Sequence, residues 1–163
     1  PHASLPFVSC IIAATSVQTP RGGCGIEGVE VVHERNTPGG LSGAKVLVAE
    51  DEYTIAMFLV DFLEMKDVQV VGPAGNLKAL GELLDAEEID VALLDINLGG
   101  ELVYPVADRL REKGVPFLLT SGYDDNVPAR FSDAPRCAKP YRLEALARAL
   151  EETLAQGRRT GQH

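Results

Sequence analysis

At 163 residues, with 45% hydrophobic and 24% charged side chains, the chain has room for one domain with a sizeable core and falls outside the disordered and membrane-spanning classes. Its net charge of -9 argues against direct binding to nucleic acid, whose phosphates call for a basic face. Cys10, Cys24 and Cys137 are odd in number and unrelated in spacing, which suggests neither a disulfide framework nor a zinc site and fits a reducing, cytoplasmic setting.

Residues 1–43 carry Pro1, Pro6, Pro20 and Pro38 and no sustained helical period, so a poorly ordered extension is expected there. Its apolar run "LPFVSCIIAATSV" is too short for a membrane span and lacks the basic residues that open a secretory signal; no membrane insertion is expected. Gly23, Gly25 and Gly28 have the G-x-G-x-x-G spacing, but no strand precedes them and no helix follows, so nucleotide binding is not expected.

From Lys45 onward short apolar runs alternate with helical patterns. "KVLVAE" reads as a buried strand, and Ile55, Leu59, Phe62 and Leu63 recur behind it at helical spacing. "VQVV" is a second strand, followed by a helix carrying Leu77, Leu80 and Leu84. The strand "VALLD" comes next, then a helix with Val103, Ala107 and Leu110 that ends near Gly114. "PFLLT" is a fourth strand, and "RCAK" a short fifth. Between them "GYDDNVPARFSDAP" holds Pro128 and Pro135, so any helix there is short, at most "PARF". A last amphipathic helix carries Leu143, Leu146, Ala147, Leu150 and Leu154. The alternation predicts an α/β fold, a doubly wound parallel sheet of five strands with both faces covered, over residues 44–155. Residues 156–163 read as a polar tail.

Function in an open parallel sheet collects outside the carboxyl ends of its strands. The first strand ends in Glu50 and Asp51, the third in Asp95, the fourth in Thr120 and Ser121, and the fifth in Lys139 followed by Pro140. Three carboxylates on one crevice resist ionising together unless a cation sits among them, and magnesium, which takes oxygen ligands, is the natural resolution. Lys139 adds a mobile point charge suited to a phosphoryl oxygen, and the hydroxyl of Ser121 or Thr120 can donate to another. Asp95 is then the candidate nucleophile toward phosphorus. Asn97 can offer its backbone carbonyl to the metal, and Gly99 and Gly100 let the loop turn close to the site. Glu50 and Asp51 are also able to cap the first helix, and Asp51 can do so as well as bind metal.

The ordered set "VLVAEDE", "LLDINLGGE", "LLTSGY" and "AKP" resembles the receiver domain of two-component response regulators, from residue 45 to about 155. The resemblance implies a flavodoxin-like strand order 2-1-3-4-5, Asp95 as phosphoacceptor, Glu50 and Asp51 as the acidic pair holding magnesium, and Lys139 as the contact to the phosphoryl group. It implies a cis Lys139-Pro140 peptide as well. "VVGPA", "NLGGE", "VYPVADRL" and "SGYDD" look like a bacterial subgroup of stand-alone receivers with a Phe-Ala-Thr-Gly-aromatic fourth-strand motif. Laying that motif on Leu119-Thr120-Ser121-Gly122 makes Ser121 the switch hydroxyl, with Thr120 beside it and Tyr123 as the aromatic. Receivers commonly carry an aromatic three positions before the lysine; this chain has Arg136.

The function expected is that of a single-domain receiver, not a turnover enzyme: Asp95 takes a phosphoryl group from a histidine kinase or histidine phosphotransfer protein, with magnesium, and a downstream protein reads the change. His2, His33 and His163 lie away from the crevice, so a histidine phosphotransfer role for this chain is not expected. One alternative, motivated by Arg136, is a phosphate-independent interaction module that kept the fold. Another is a phosphohydrolase working through an aspartyl intermediate, for which Ile96 and Asn97 supply no acid or base.

Overall fold

A computed structural model of the chain describes residues 40–122 and 127–160. The extension up to residue 39, with its glycine motif and with Cys10, Cys24, His2 and His33, lies outside them, as do Tyr123 and His163.

Strand β1 (Lys45–Ala49) leads to helix α1 (Tyr53–Glu64), β2 (Gln69–Ala74), α2 (Leu77–Ala86) and β3 (Val91–Asp95). Two short strands, β4 (Asn97–Leu98) and β5 (Glu101–Leu102), precede α3 (Tyr104–Glu112); then come β6 (Phe117–Ser121), β7 (Arg136–Ala138) and α4 (Leu143–Thr160). The main sheet has the order β2-β1-β3-β6-β7, with every neighbouring pair parallel. This is the expected 2-1-3-4-5 arrangement, β6 and β7 being its fourth and fifth strands. The region expected to hold at most a short helix contains one 3-10 turn, Ala129–Phe131.

The continuous apolar runs of β1 and β3 arise because both sheet faces are covered. Successive residues alternate between two cores: Leu47, Ala49, Ala92, Leu94, Phe117 and Leu119 meet α2 and α3, whereas Val46, Val48, Val91, Leu93 and Leu118 meet α1 and α4. Asn76 caps α2, its side chain accepting from the Ala79 N–H at 2.9 Å. Asp51 does not cap α1. The N-cap is Glu52, which makes no side-chain cap bond, so Asp51 is left on the rim of the crevice.

Two boundaries differ from the sequence expectation. Helix α4 runs through Thr160, because Leu150 and Leu154 bury one stripe while its last turn carries Arg158 and Arg159, favourable near a helix C-terminus. Upstream, Leu41 is buried in the α1/α4 core, and the Gly43 N–H donates to the Asp67 carbonyl at 2.7 Å. The domain therefore takes in residues before 44.

"VVGPA" marks a local irregularity. The β1–β2 register shifts between Leu47 and Ala49, and Gly72, at φ +104°, lies where a Cβ would come within 2.9 Å of the Val48 carbonyl oxygen. Only glycine allows the second strand to stay that close and still deliver "GPAGN" to the crevice rim.

Candidate functional site

Asp95 is held at the end of a strand with neighbours on both sides and is 7% exposed; Glu50, one residue beyond β1, is 4% exposed. Strand alternation turns both toward the α1/α4 side of the sheet. Lys139, one residue beyond β7, reaches them from the edge, its Nζ donating to Asp95 Oδ2 at 2.6 Å and to Glu50 Oε2 at 2.9 Å. The Lys139-Pro140 peptide is cis. Carboxylate oxygens of Glu50, Asp51 and Asp95 lie within 4.8 Å of one another, and Asp51 is exposed.

The charges in this crevice do not balance. Burial is the main cause that raises the Asp95 and Glu50 carboxyls above their ordinary values, against the opposing pull of Lys139. Burial alone would lower the Lys139 ammonium, but its bonds to Asp95 and Glu50 prevail and it is raised. One lysine thus stabilises both carboxylates without fully offsetting their desolvation and mutual repulsion. Hard oxygen donors this close, with two buried and one open to solvent, fit a divalent cation such as magnesium. The residues that could hold it are Glu50, Asp51 and Asp95.

The segment after Asp95 is a hairpin. Asn97 pairs with Leu102 and Leu98 with Glu101 across Gly99 and Gly100, whose φ angles of +65° and +89° suit a two-residue turn. The Asn97 side chain is occupied in this turn, accepting from the Gly100 N–H at 3.0 Å. Its backbone N–H faces Asp95 Oδ1 at 3.3 Å, and the Val103 N–H closes the base on the Ile96 carbonyl at 2.9 Å. The Gly-Gly pair between polar and apolar neighbours is a hairpin signal that was present in the sequence.

The two candidate hydroxyls differ. Thr120 is opposite Asp95 in the ladder, hence on the same face, and is 1% exposed; its carbonyl accepts from the Ile96 N–H at 3.0 Å. Ser121 is opposite Ala138, on the other face, and half-buried; its carbonyl accepts from the Lys139 N–H at 2.8 Å. Thr120 is thus tied by backbone to the residue after Asp95, and Ser121 to Lys139. Arg136 is exposed at the start of the edge strand, opposite Leu119.

Sequence reading missed Tyr141. It lines an apolar groove of about 570 Å³ with Ile55, Phe58, Leu59, Pro140 and Leu143, beside Lys139. Its hydroxyl is buried with no hydrogen-bond partner among the described residues, and burial pushes the phenol up to about 12. "KPY" gave no sign of this, because the burial depends on α1 crossing nearby.

A family profile for the response regulator receiver domain matches residues 46–133. The solution structure of SdrG from Sphingomonas melonis Fr1 is 38% identical, with a TM-score of 0.61, covering 69% of this chain and 96% of that one. The regulatory protein VanR of Enterococcus faecium is 31% identical over 110 residues, 64% of this chain and 47% of VanR. The transcriptional regulatory protein PdtaR of Mycobacterium tuberculosis is 27% identical over 119 residues, 70% of this chain and 58% of PdtaR. The chain thus spans about half the length of these curated relatives.

Proposed function

Because the chain belongs to the response regulator receiver domain family, we propose that Asp95 is the acceptor of a phosphoryl group donated by a histidine kinase or a histidine phosphotransfer protein. The observation that carries this reading is the pairing of a nearly buried Asp95 with the Lys139 ammonium at 2.6 Å, in a cluster of three carboxylates. An Asp95 oxygen forms the bond to phosphorus as the bond from phosphorus to the donor's leaving group breaks. The rigid end of β3 holds the nucleophile, so the protein's contribution is alignment and charge neutralisation. Lys139 keeps its proton throughout and moves its hydrogen bonds from the carboxylates to a phosphoryl oxygen. Magnesium, when bound by Glu50, Asp51 and Asp95, supplies charge neutralisation between carboxylate and phosphoryl group.

Phosphorylation adds about 1.5 to 2 negative charges at neutral pH, enough to bias a two-state element and change which partner binds. Ser121 is the switch hydroxyl in this reading by the fourth-strand motif alone, while Thr120 is the hydroxyl on the Asp95 face. A downstream protein, not nucleic acid, reads the change, in keeping with the net charge of -9. The setting is cytoplasmic. Among the described residues no helix is long and apolar enough to cross a membrane. Turnover of an external substrate is not part of the reading: Ile96 and Asn97, the two residues that follow the nucleophile, carry no acid or base.

Incubation with acetyl phosphate and magnesium tests the assignment. Wild-type protein gains one phosphoryl group by intact mass spectrometry and Asp95→Asn gains none; equal labelling of the two removes Asp95 from the role. Arg136, standing where receivers commonly have an aromatic residue, favours a second reading, a phosphate-independent interaction module. Wild-type protein that neither binds magnesium nor takes up phosphate would establish it.

A further inference from the structure

The segment that stands in for a covering helix is held against α3 by an aromatic and guanidinium cluster. Phe131, fully buried, stacks on Tyr104 with ring centroids 5.2 Å apart and 18° between planes, and meets Phe117 edge-on at 6.1 Å. The guanidinium carbons of Arg111 and Arg130 lie 4.7 and 4.8 Å from the Phe131 centroid. Arg130 forks onto the Asp108 carboxylate at 3.2 and 3.3 Å, and Arg111 donates to Asp133 at 2.6 Å and to the Arg130 carbonyl. Such stacks and cation–π contacts add to ordinary area burial.

What matters is where this cluster sits along the chain. Tyr104 opens α3, directly after the hairpin that leaves Asp95. Phe131 closes the 3-10 turn that leads through Ala134 and Pro135 into β7 and so to Lys139. The stack therefore joins the segment departing from the acceptor to the segment arriving at the lysine. Pro135 fixes the entry further, its carbonyl accepting from the Leu119 N–H at 3.0 Å. Beyond that point β7 is three residues long and, among the described residues, pairs with β6 alone, so its own ladder does little to set its tilt.

We propose that Phe131 is a positioning residue for the phosphoryl transfer: it fixes the entry of β7 and, through that short strand, aims the Lys139 ammonium at Asp95 and Glu50. The consequence for transfer rests on the phosphoacceptor reading, whereas the placement of Lys139 does not. Arg130 supports the same ring from the surface and makes a milder handle on it, with its side chain 54% exposed.

Two measurements on Phe131→Leu and Arg130→Ala, in the full chain, test this. The first needs no phosphodonor: the rate at which acetic anhydride modifies Lys139, read by peptide mass spectrometry against Lys45 and Lys78 in the same sample. Loosening Lys139 from its carboxylates leaves Nζ open to the reagent for more of the time and raises its relative rate about tenfold in Phe131→Leu and less in Arg130→Ala. Relative rates equal to wild type in both variants overturn the proposal, and the surface variant decides it should Phe131→Leu not fold. The second is labelling by acetyl phosphate at varied donor concentration. The maximal rate falls about tenfold while the half-saturating concentration stays within about twofold, a split that loss of folded protein would not produce once rates are scaled to the folded fraction. An unchanged maximal rate beside a loosened Lys139 also overturns it. Wild-type protein that protects Lys139 yet takes no phosphate removes the phosphoacceptor reading instead, and the first measurement alone then decides the positioning of the lysine.

Discussion

Two groups of charges, one in the crevice and one along α3, are built on opposite plans. On α3 and its surroundings each guanidinium has its own carboxylate, Arg109 with Asp85, Arg111 with Asp133 and Arg130 with Asp108, all partly or well exposed. In the crevice one lysine serves two carboxylates that are almost fully buried, with a third at the rim. The first plan is electrically complete and needs nothing from outside. The second is short of positive charge, in a place where charge is expensive to bury. The difference teaches that charged clusters should be read by their balance rather than their number: an incomplete one points to a missing ion or a reaction, a complete one to attachment.

The sharpest way to break this contrast is to remove the cation. Chelating magnesium during incubation with acetyl phosphate is expected to lower the labelling rate by at least about 100-fold, as intact mass spectrometry would read it. Lys139→Ala comes next. It leaves Glu50 and Asp95 buried without a counter-charge and is expected to cost about 2 to 3 kcal/mol in urea unfolding, the lysine's partial exposure reducing the penalty of a wholly buried pair. Magnesium should restore part of that loss.

A smaller effect lies in the pH dependence of the metal-free protein. Burial holds the Asp95 and Glu50 carboxyls above their ordinary values of 3.8 and 4.5, so in this window the folded state binds their protons more tightly than the unfolded state does. These groups therefore favour folding at low pH, and their contribution is lost as pH rises through the folded values. Asp95→Asn should flatten this fall in the urea midpoint, and an unflattened profile would assign it elsewhere. Tyr141→Phe removes a buried hydroxyl that has no partner among the described residues and should stabilise the fold by about 1 kcal/mol. Last comes Asp108→Ala on α3, expected to cost well under 1 kcal/mol, as exposed pairs do.

The crevice was legible in the sequence because buried parallel strands are written as unbroken apolar runs, and whatever ends such a run stands at the sheet edge. Glu50 and Asp95 follow from that rule, Lys139 only from the short strand expected before Pro140, and the structure brings the three together. The α3 cluster follows no such rule. Phe131 sits in "PARF", a string with too few residues to carry a period, and its burial depends on Tyr104 and Phe117 from distant elements. Tyr141 was hidden for the same reason. The cap assigned to Asp51 failed because both it and Glu52 suit a helix start, and the backbone chose the latter. Thr120 and Ser121 stayed ambiguous since adjacent strand residues face opposite sides, and a register fixed by tertiary pairing decides which faces where.

The order of strands in the sheet has a further consequence for the ease of reaction. The carboxylates sit at the ends of β1 and β3, each clasped between two neighbours, while Lys139 follows the edge strand. Under the proposed phosphoacceptor reading, the parts that would stay still as a bond to phosphorus forms are embedded, and the part that would swing from carboxylate to phosphoryl oxygen is hung at the margin. Rigidity and freedom would then be shared out by position in the sheet, so that the motion proposed for transfer leaves the central ladder undisturbed.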